Sequence, residues 1–454
     1  MKKFLLSLLT VFAVLVSYAG PPKYIFLFIG DGMSTPQRML ADEFSRARGE
    51  GQLVMNTFPV HATTRSCSAN SLVTDSAAAA TAIACGAKTD SGKVGVDPQN
   101  RRLESVAEVA KKSGKRVGIV TSVTINHATP AGFYAHRSHR RQGYEIGLDL
   151  IASGFDYFAG GGFGKYADDR KSPDYRGNLY ELAAKSGYTV IRTRDGFEKL
   201  RPGCGKVLIS CCSDALPYEI DSNGSIPTLA ELTRKGIELL DNPDGFFMMV
   251  EGGSIDWCGH GNEAAGNLTE VLGLDRAVRV AMEFAAKHPG ETLIIVTGDH
   301  ETGGMTMGFA GTGYNLYVDR LALQTCTTKE FVRRVRAARE KKPDLNFEDV
   351  KPMLAKAYGF KFEGKGPMVI TDKELKQLQK AIVKDKRGKT RISASKLGTE
   401  ARIIMSAKAG VGWTSGAHTA LPVLTTSFGN GSEKFSGFLE NTDIANKLKE
   451  LLRK

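Results

Sequence analysis

No Cys-x-x-Cys pair occurs in the 454 residues, so the chain offers no cysteine zinc site or dithiol redox centre of that kind. Its seven cysteines are Cys67, Cys85, Cys204, Cys211, Cys212, Cys258 and Cys326. An odd number leaves at least one thiol free or bonded to another chain, and the connectivity stays open. Beyond the N-terminal stretch no apolar run is long enough to cross a bilayer, so no membrane anchor is expected. There is no internal repeat, low-complexity tract or nucleic-acid motif, and specific nucleic-acid recognition is not expected either. Histidine is scarce too, at eight residues, so the company each one keeps is informative.

The N-terminus carries a clear pattern. Lys2 and Lys3 precede an apolar stretch from Phe4 to Val16, and Ser17-Tyr18-Ala19 supplies a cleavage pattern. Residues 1–19 therefore read as a secretory signal peptide, with a periplasmic or secreted destination expected. Its removal takes two lysines and lowers the formal net charge from +12 to +10.

Apolar runs of strand length recur, and each ends in polar residues. KYIFLFIG leads to Asp31, RVGIVTSV toward His127, GFFMMVEGG into Ser254-Ile-Asp256, and ETLIIVTG into Asp299-His300. Helical patterns such as LESVAEVAKKSGK and NLYELAAKSGY lie between them. Continuous Val/Ile/Phe runs suit strands buried on both faces, which predicts an α/β fold with a large, mostly parallel central sheet flanked by helices. In such sheets ligands bind beyond the carboxyl ends of the strands, where these polar residues fall.

Residues 321–410 differ, with 22 Lys+Arg against 10 Asp+Glu. Thr371-Asp-Lys-Glu374 forms a capping box ahead of LKQLQKAIVK. The segment reads as an inserted, mostly helical, basic subdomain between a core at 20–320 and its C-terminal part at 411–454. Its charge suits anionic partners, or only solubility and assembly.

The chemistry gathers around VTDSAAAATA. Alone it reads as a capped helix, but a serine at a helix N-terminus also sits where a phosphate is welcome. Asp256 and His260 stand one helical turn apart, Asp299-His300 follows one strand, Asp31 another, and His418 precedes LPVLTT. Three imidazoles with carboxylates suit zinc, while carboxylates with a hydroxyl suit magnesium. A serine hydroxyl needs activation to attack phosphorus, and an arginine fork suits phosphoryl oxygens. Arg137, Arg140 and Arg141 are the candidates in TPAGFYAHRSHRR.

IGDGM, VTDSAAAATA, HATPA, VEGGSIDWCGH, VTGDHETGG and AHTA stand in this order along the chain, which resembles the alkaline phosphatases. The resemblance covers nearly everything outside the basic segment. It implies hydrolysis of small phosphate monoesters through a phosphoserine at Ser76, with two zinc ions, one magnesium and a homodimer. It implies Asp31, Asp299 and His300 as ligands of one zinc, and Asp256, His260 and His418 as ligands of the other. Asp31, Thr129 and Glu251 would hold the third metal, Arg140 would clamp phosphate, and His127 and Trp257 would stand behind the third site.

Enterobacterial members have aspartate and lysine at those last two positions, which bears on third-site occupancy. Ser34 and Ala420 replace family glycines, changes expected to be tolerated. The rival readings are a phosphodiesterase or sulfatase on the same scaffold, or a non-catalytic phosphate- or metal-binding protein. Ser76 followed by Ala77-Ala78 does not fit the sulfatase C/S-x-P-x-R pattern, and Ser76 with Arg140 favours the monoester over the diester.

Overall fold

The computed structural model describes residues 20–309, 311–384 and 388–453. The signal-peptide reading of residues 1–19 lies outside the described residues. Among the described residues no helix is long and apolar enough to cross a membrane.

Eight strands are introduced in chain order: β1 (Tyr24–Gly30), β2 (Val60–Arg65), β3 (Arg116–Thr124), β4 (Tyr157–Gly161), β5 (Tyr188–Ile191), β6 (Lys206–Ile209), β7 (Phe246–Gly252) and β8 (Thr292–Gly298). With Val423–Gly429 and Gly437–Glu440 they form one ten-stranded sheet. Its order is Gly437–Glu440, β2, Val423–Gly429, β8, β1, β7, β3, β4, β6, β5. All neighbours pair in parallel except Val423–Gly429, which runs antiparallel to both β2 and β8.

The apolar runs explain this layering. β1 is buried along its whole length, with Tyr24, Phe26 and Phe28 in one core cluster and Ile25, Leu27 and Ile29 in the other. Alternate side chains point to opposite faces, so a strand covered on both needs apolar residues at every position.

The sequence expectation for 321–410 is a mostly helical unit, and four helices are found there: Thr328–Lys341, Phe347–Tyr358, Asp372–Gln379 and Ala394–Ala409. Phe331, Val335, Leu354 and Leu397 join the same buried cluster as Leu40 and Leu268, so the segment extends one layer of the core. The Thr371 capping box is formed, with Thr371 N–H donating to Glu374 and Glu374 N–H to the Thr371 hydroxyl. The expected helix is shorter than its pattern, because Ile382–Lys384 leaves it to pair with Thr390–Ile392 as a hairpin. Two β-branched residues in three favour that strand.

Helix α1 (Thr35–Ala47) follows β1, and α2 (Ser76–Cys85) follows β2. Then come α3 (Val106–Lys112) and the single turn α4 (Ala128–Ala131). Ser105 and Glu108 form a capping box on α3, while the Ser105 hydroxyl donates to the Phe133 carbonyl at 2.6 Å. Burial opposes ionisation of Glu108, but hydrogen bonds from His136, the Ser105 N–H and Arg102 outweigh it and hold its carboxyl at about 2. These contacts tie α3 to the segment between Thr129 and Arg140.

A carboxyl depressed in the folded state adds stability above its ordinary pKa and loses it as the pH falls toward the folded value. Glu108→Ala is therefore expected to cost about 1 kcal/mol at neutral pH. Urea titrations should show that deficit closing between pH 4.5 and about 2. A deficit independent of pH would mean the glutamate's charge is irrelevant.

Candidate active site

β8, β1, β7 and β3 are neighbours in the sheet, and their carboxyl ends lie together. Gly30 pairs with both Gly252 and Gly298, so Asp31 and Asp299 leave adjacent strands at one level. Glu251 is the penultimate residue of β7, and the helix Ser254–His260 starts two residues after that strand. His127 and Thr129 follow β3. The antiparallel strand brings His418 to this edge, because its amino end lies where the other strands finish. Gly32 has φ of 72°, and a Cβ there would lie 2.8 Å from the Asp256 Cα. The β1–α1 turn thus lets backbone approach backbone beside the site.

Ser76 opens α2 and is buried, with its hydroxyl 3.2 Å from His300 Nε2 and 3.5 Å from Asp31 Oδ1. Asp75 is the cap, accepting from Ala78 N–H at 3.1 Å. The alanines that follow are all buried. A Cβ on Gly132 would meet Ala80 at 3.1 Å, so small residues on both sides let α4 lie against α2.

Of the three arginines, only Arg140 faces this cluster. It donates to Asp75 Oδ2 at 3.0 Å, and its other terminal nitrogen lies 3.3 Å from His127 Nε2. Arg137 is committed to Asp149, and Arg141 is exposed. Asp75 also accepts from Gly92 N–H at 2.9 Å. Burial opposes its ionisation, yet Gly92, Arg140 and Ala78 hold its carboxyl below the usual range.

Three groups of ligand atoms converge within 4.8 Å: Asp256, His260 and His418; Asp31, Asp299 and His300; and Asp31, His127 and Glu251. Asp31 belongs to two of them. Thr129 joins the third through a 3.3 Å hydrogen bond to Asp31 Oδ2, while the His127 Nδ1 lies 3.9 Å from Glu251 Oε1. His127 therefore stands inside the third group and not only behind it. Trp257 meets its ring edge-on, with centroids 6.2 Å apart.

These residues fit metal ions. His260 and His418 each direct Nδ1 at a backbone carbonyl, of Gly416 and Thr74, both at 2.8 Å. That places the proton on Nδ1 and leaves Nε2 with a free lone pair. The two Nε2 atoms face each other at 3.2 Å, with Asp256 oxygens 3.4 and 3.5 Å away. Such acceptors repel unless a cation lies among them. His127 Nδ1, Glu251 Oε1 and Asp299 Oδ2 are buried with no hydrogen-bond partner, which is costly unless each ligates.

The carboxyl groups register the same strain. Burial, then the neighbouring carboxylates, pushes Asp31 well above the usual range. Burial raises Glu251 to about 8 and Asp299 to about 7. Burial holds His300 down at about 3, as it does His127. Asp256 goes the other way: burial opposes its charge, but the surrounding imidazoles of His418, His300 and His260 lower it.

The alkaline phosphatase family model matches residues 22–454. The chain belongs to the alkaline phosphatase family. Alkaline phosphatase 4 of Bacillus subtilis is 34% identical over 394 residues, covering 84% of this chain and 77% of that protein. Alkaline phosphatase 3 of the same organism is 31% identical over 442 residues, covering 95% and 89%. A cold-active alkaline phosphatase from Shewanella sp. superposes with a TM-score of 0.82 at 28% identity, covering 95% of this chain and all 100% of that one. Alkaline phosphatases hydrolyse phosphate monoesters and use divalent metal ions, and the fold and the ligand groups here agree with both.

Sequence reasoning overlooks several supports of the site. Asp75 reads only as a cap, although it also orients Arg140. Glu301 accepts from Gly304 N–H, Met305 N–H and the Thr419 hydroxyl, pinning the short ladder of Glu301–Thr302 with His418–Thr419. Its place in DHETGG was the available signal. Ser34 caps α1 through a capping box with Gln37 and donates to the Pro422 carbonyl at 2.7 Å, so its change from glycine has a local use.

A carboxyl raised in the folded state loses stability as the pH climbs through its folded value. Protein stripped by chelator should therefore unfold at lower temperature as the pH rises past 7 and 8, the values for Asp299 and Glu251. Protein resupplied with zinc and magnesium should not. At pH 9 the gap in Tm should reach roughly 10 °C or more by calorimetry. Equal curves would show that the carboxylates need no cation.

Proposed function

We propose that the chain hydrolyses small phosphate monoesters through a phosphoserine at Ser76. The observation that carries this reading is the buried Ser76 hydroxyl at the start of α2, 3.2 Å from His300 and 3.5 Å from Asp31. Its oxygen attacks phosphorus in line, the ester oxygen leaves with the alcohol, and water then releases phosphate from serine. Two inversions give net retention at phosphorus. The positive end of the α2 dipole favours the phosphoryl group there. Arg140, steadied by Asp75 and His127, offers its planar fork to the phosphoryl oxygens.

Asp31, Asp299 and His300 would hold one zinc, and Asp256, His260 and His418 a second. Asp31, Glu251 and Thr129 would hold magnesium, with His127 the further candidate. Bound there, such ions supply Lewis-acid charge and lower the pKa of coordinated hydroxyl groups. A variant of the alkaline phosphatase of the Antarctic bacterium TAB5 in which a histidine is replaced by aspartate has been solved with Mg in its M3 site. Assembly as a homodimer and export to the periplasm or the medium belong to the same reading. Leu72, Val73 and Leu421 are exposed close in sequence to Thr74 and His418, apolar surface that a second copy would cover.

The test compares p-nitrophenyl phosphate with bis-p-nitrophenyl phosphate in zinc and magnesium at mildly alkaline pH. A strong monoester preference is expected. Ser76→Ala should lose about 10³-fold or more of the monoester turnover while keeping its metals by elemental analysis. Diester preference would remove Arg140 from its role. A mutant with full turnover would remove Ser76 from the chemistry.

A further inference from the structure

Trp257 stands between two functions of the surface. Its ring meets His127, whose far nitrogen contacts Arg140. It also lines a cavity of about 840 Å³ that runs between the helix Thr328–Lys341 and the loop around Tyr218. A smaller cavity of about 470 Å³ shares Trp257 and Asp214 with the larger one. That smaller cavity in turn shares Thr124 and Tyr166 with the depression that holds Arg140 and His127. The three adjoin at these shared residues, so a row of depressions runs from the phosphate clamp past Trp257 to the basic segment, and together they form a groove. The cavity of about 840 Å³ is by itself in the range that holds a nucleotide-sized ligand.

The groove's charge is placed along one face of its helical wall. Lys329, Val332, Arg333 and Arg336 all line it, at the spacing of neighbours on a helix surface. Glu330 is shared by Arg333 and Arg334, one carboxylate against two guanidinium groups. Asp221 is occupied by Thr327, whose N–H and hydroxyl donate to it at 2.9 and 2.5 Å. Asp214 is the remaining carboxylate of the largest cavity, on the shared wall, and Asp75 at the clamp end is held by Arg140. Among the described residues, Lys329 and Arg336 have no carboxylate at ion-pair distance. Arg336 donates only to the Ser395 hydroxyl at 3.1 Å, and the Lys329 ammonium lies 5.8 Å from the Tyr218 ring.

We propose that this groove receives the leaving group of the ester, and that it selects monoesters whose alcohol part carries a second anionic group. The proposal rests on the phosphomonoesterase reading and adds its substrate class. The aromatic surface of Trp257 sits between the reacting phosphate and the two cations of the helical wall, with Lys165 beside it in the connecting cavity. A leaving group would therefore cross an aromatic surface before its second charge reached Lys329 and Arg336. The internal phosphodiester of a 5′-phosphorylated dinucleotide and the carboxylate of a phosphorylated sugar acid both supply such a charge.

The test measures phosphate release from two matched pairs by the metal-loaded enzyme. One pair is deoxyadenosine 5′-monophosphate and the 5′-phosphorylated dinucleotide of deoxyadenosine. The other is glucose 6-phosphate and 6-phosphogluconate. Each substrate has one cleavable monoester, and only the second of each pair leaves as an anion. The anionic member should show kcat/KM higher by about three- to tenfold at low salt, the effect of two exposed charge contacts. That preference should fade at high salt and in the Lys329→Ala, Arg336→Ala double variant. The double variant should keep its kcat/KM on p-nitrophenyl phosphate within about twofold, since neither residue touches the reacting phosphate.

Preference in both pairs assigns the groove to anionic leaving groups in general. Preference in the nucleotide pair alone confines it to leaving groups long enough to cross Trp257. Parity in both pairs, or a preference that survives the double variant, overturns the proposal. Absence of p-nitrophenyl phosphate turnover by the unaltered enzyme would overturn the phosphomonoesterase reading itself, and this proposal with it.

Discussion

Asp31, Glu251, Asp256 and Asp299 are buried together at the ends of adjacent strands, and among the described residues no lysine or arginine pairs with any of them. Burying even one uncompensated carboxylate costs on the order of several kcal/mol. The cost is tolerable only when cations neutralise the group, and much of the surrounding structure serves to hold the ligands for them. Backbone carbonyls fix the tautomers of His260 and His418, and Thr121 and Thr302 donate hydroxyls to Glu251 and Asp256. The same convergence that would be ruinous without metal makes a strong site with it.

Topology delivers these ligands with little rearrangement. Four parallel strands contribute them simply by ending side by side. The single antiparallel strand has a matching purpose, since only a strand entering from this edge puts His418 ahead of its first residue and beside Asp256. Ser76 arrives on α2, whose alanine surface lets it sit deep behind the ligands. Asp75 couples the two ends of the proposed phosphate site, because one carboxylate caps the helix that Ser76 opens and steadies Arg140.

Most of this was legible in the sequence because candidate metal ligands and buried strands leave dense local signatures. KYIFLFIG-D and ETLIIVTG-DH announce both the strand and what it carries. The parallel sheet, the helical content of 321–410 and the gathering of the proposed ligands could be read in that way. Relations between distant residues could not. The choice of Arg140 over Arg137 came from the family resemblance, but the contacts that aim them, to Asp75 and Asp149, could not be read from the sequence. His127 was expected behind the third group and stands within it, since a ring's reach is set by how the chain turns after β3. The hairpin that ends the Asp372–Gln379 helix lies across a helical pattern that continues past it, where tertiary pairing overrides local preference.

The central claim is that three cation sites share their ligands unequally, with Asp31 in two groups and Asp256 in one. Elemental analysis of purified protein after equilibration in zinc and magnesium tests it most directly. The account predicts three ions per chain, two in Asp256→Asn, and one in Asp31→Asn, with all three proteins folded by circular dichroism. An Asp31→Asn variant that keeps the full complement would contradict it.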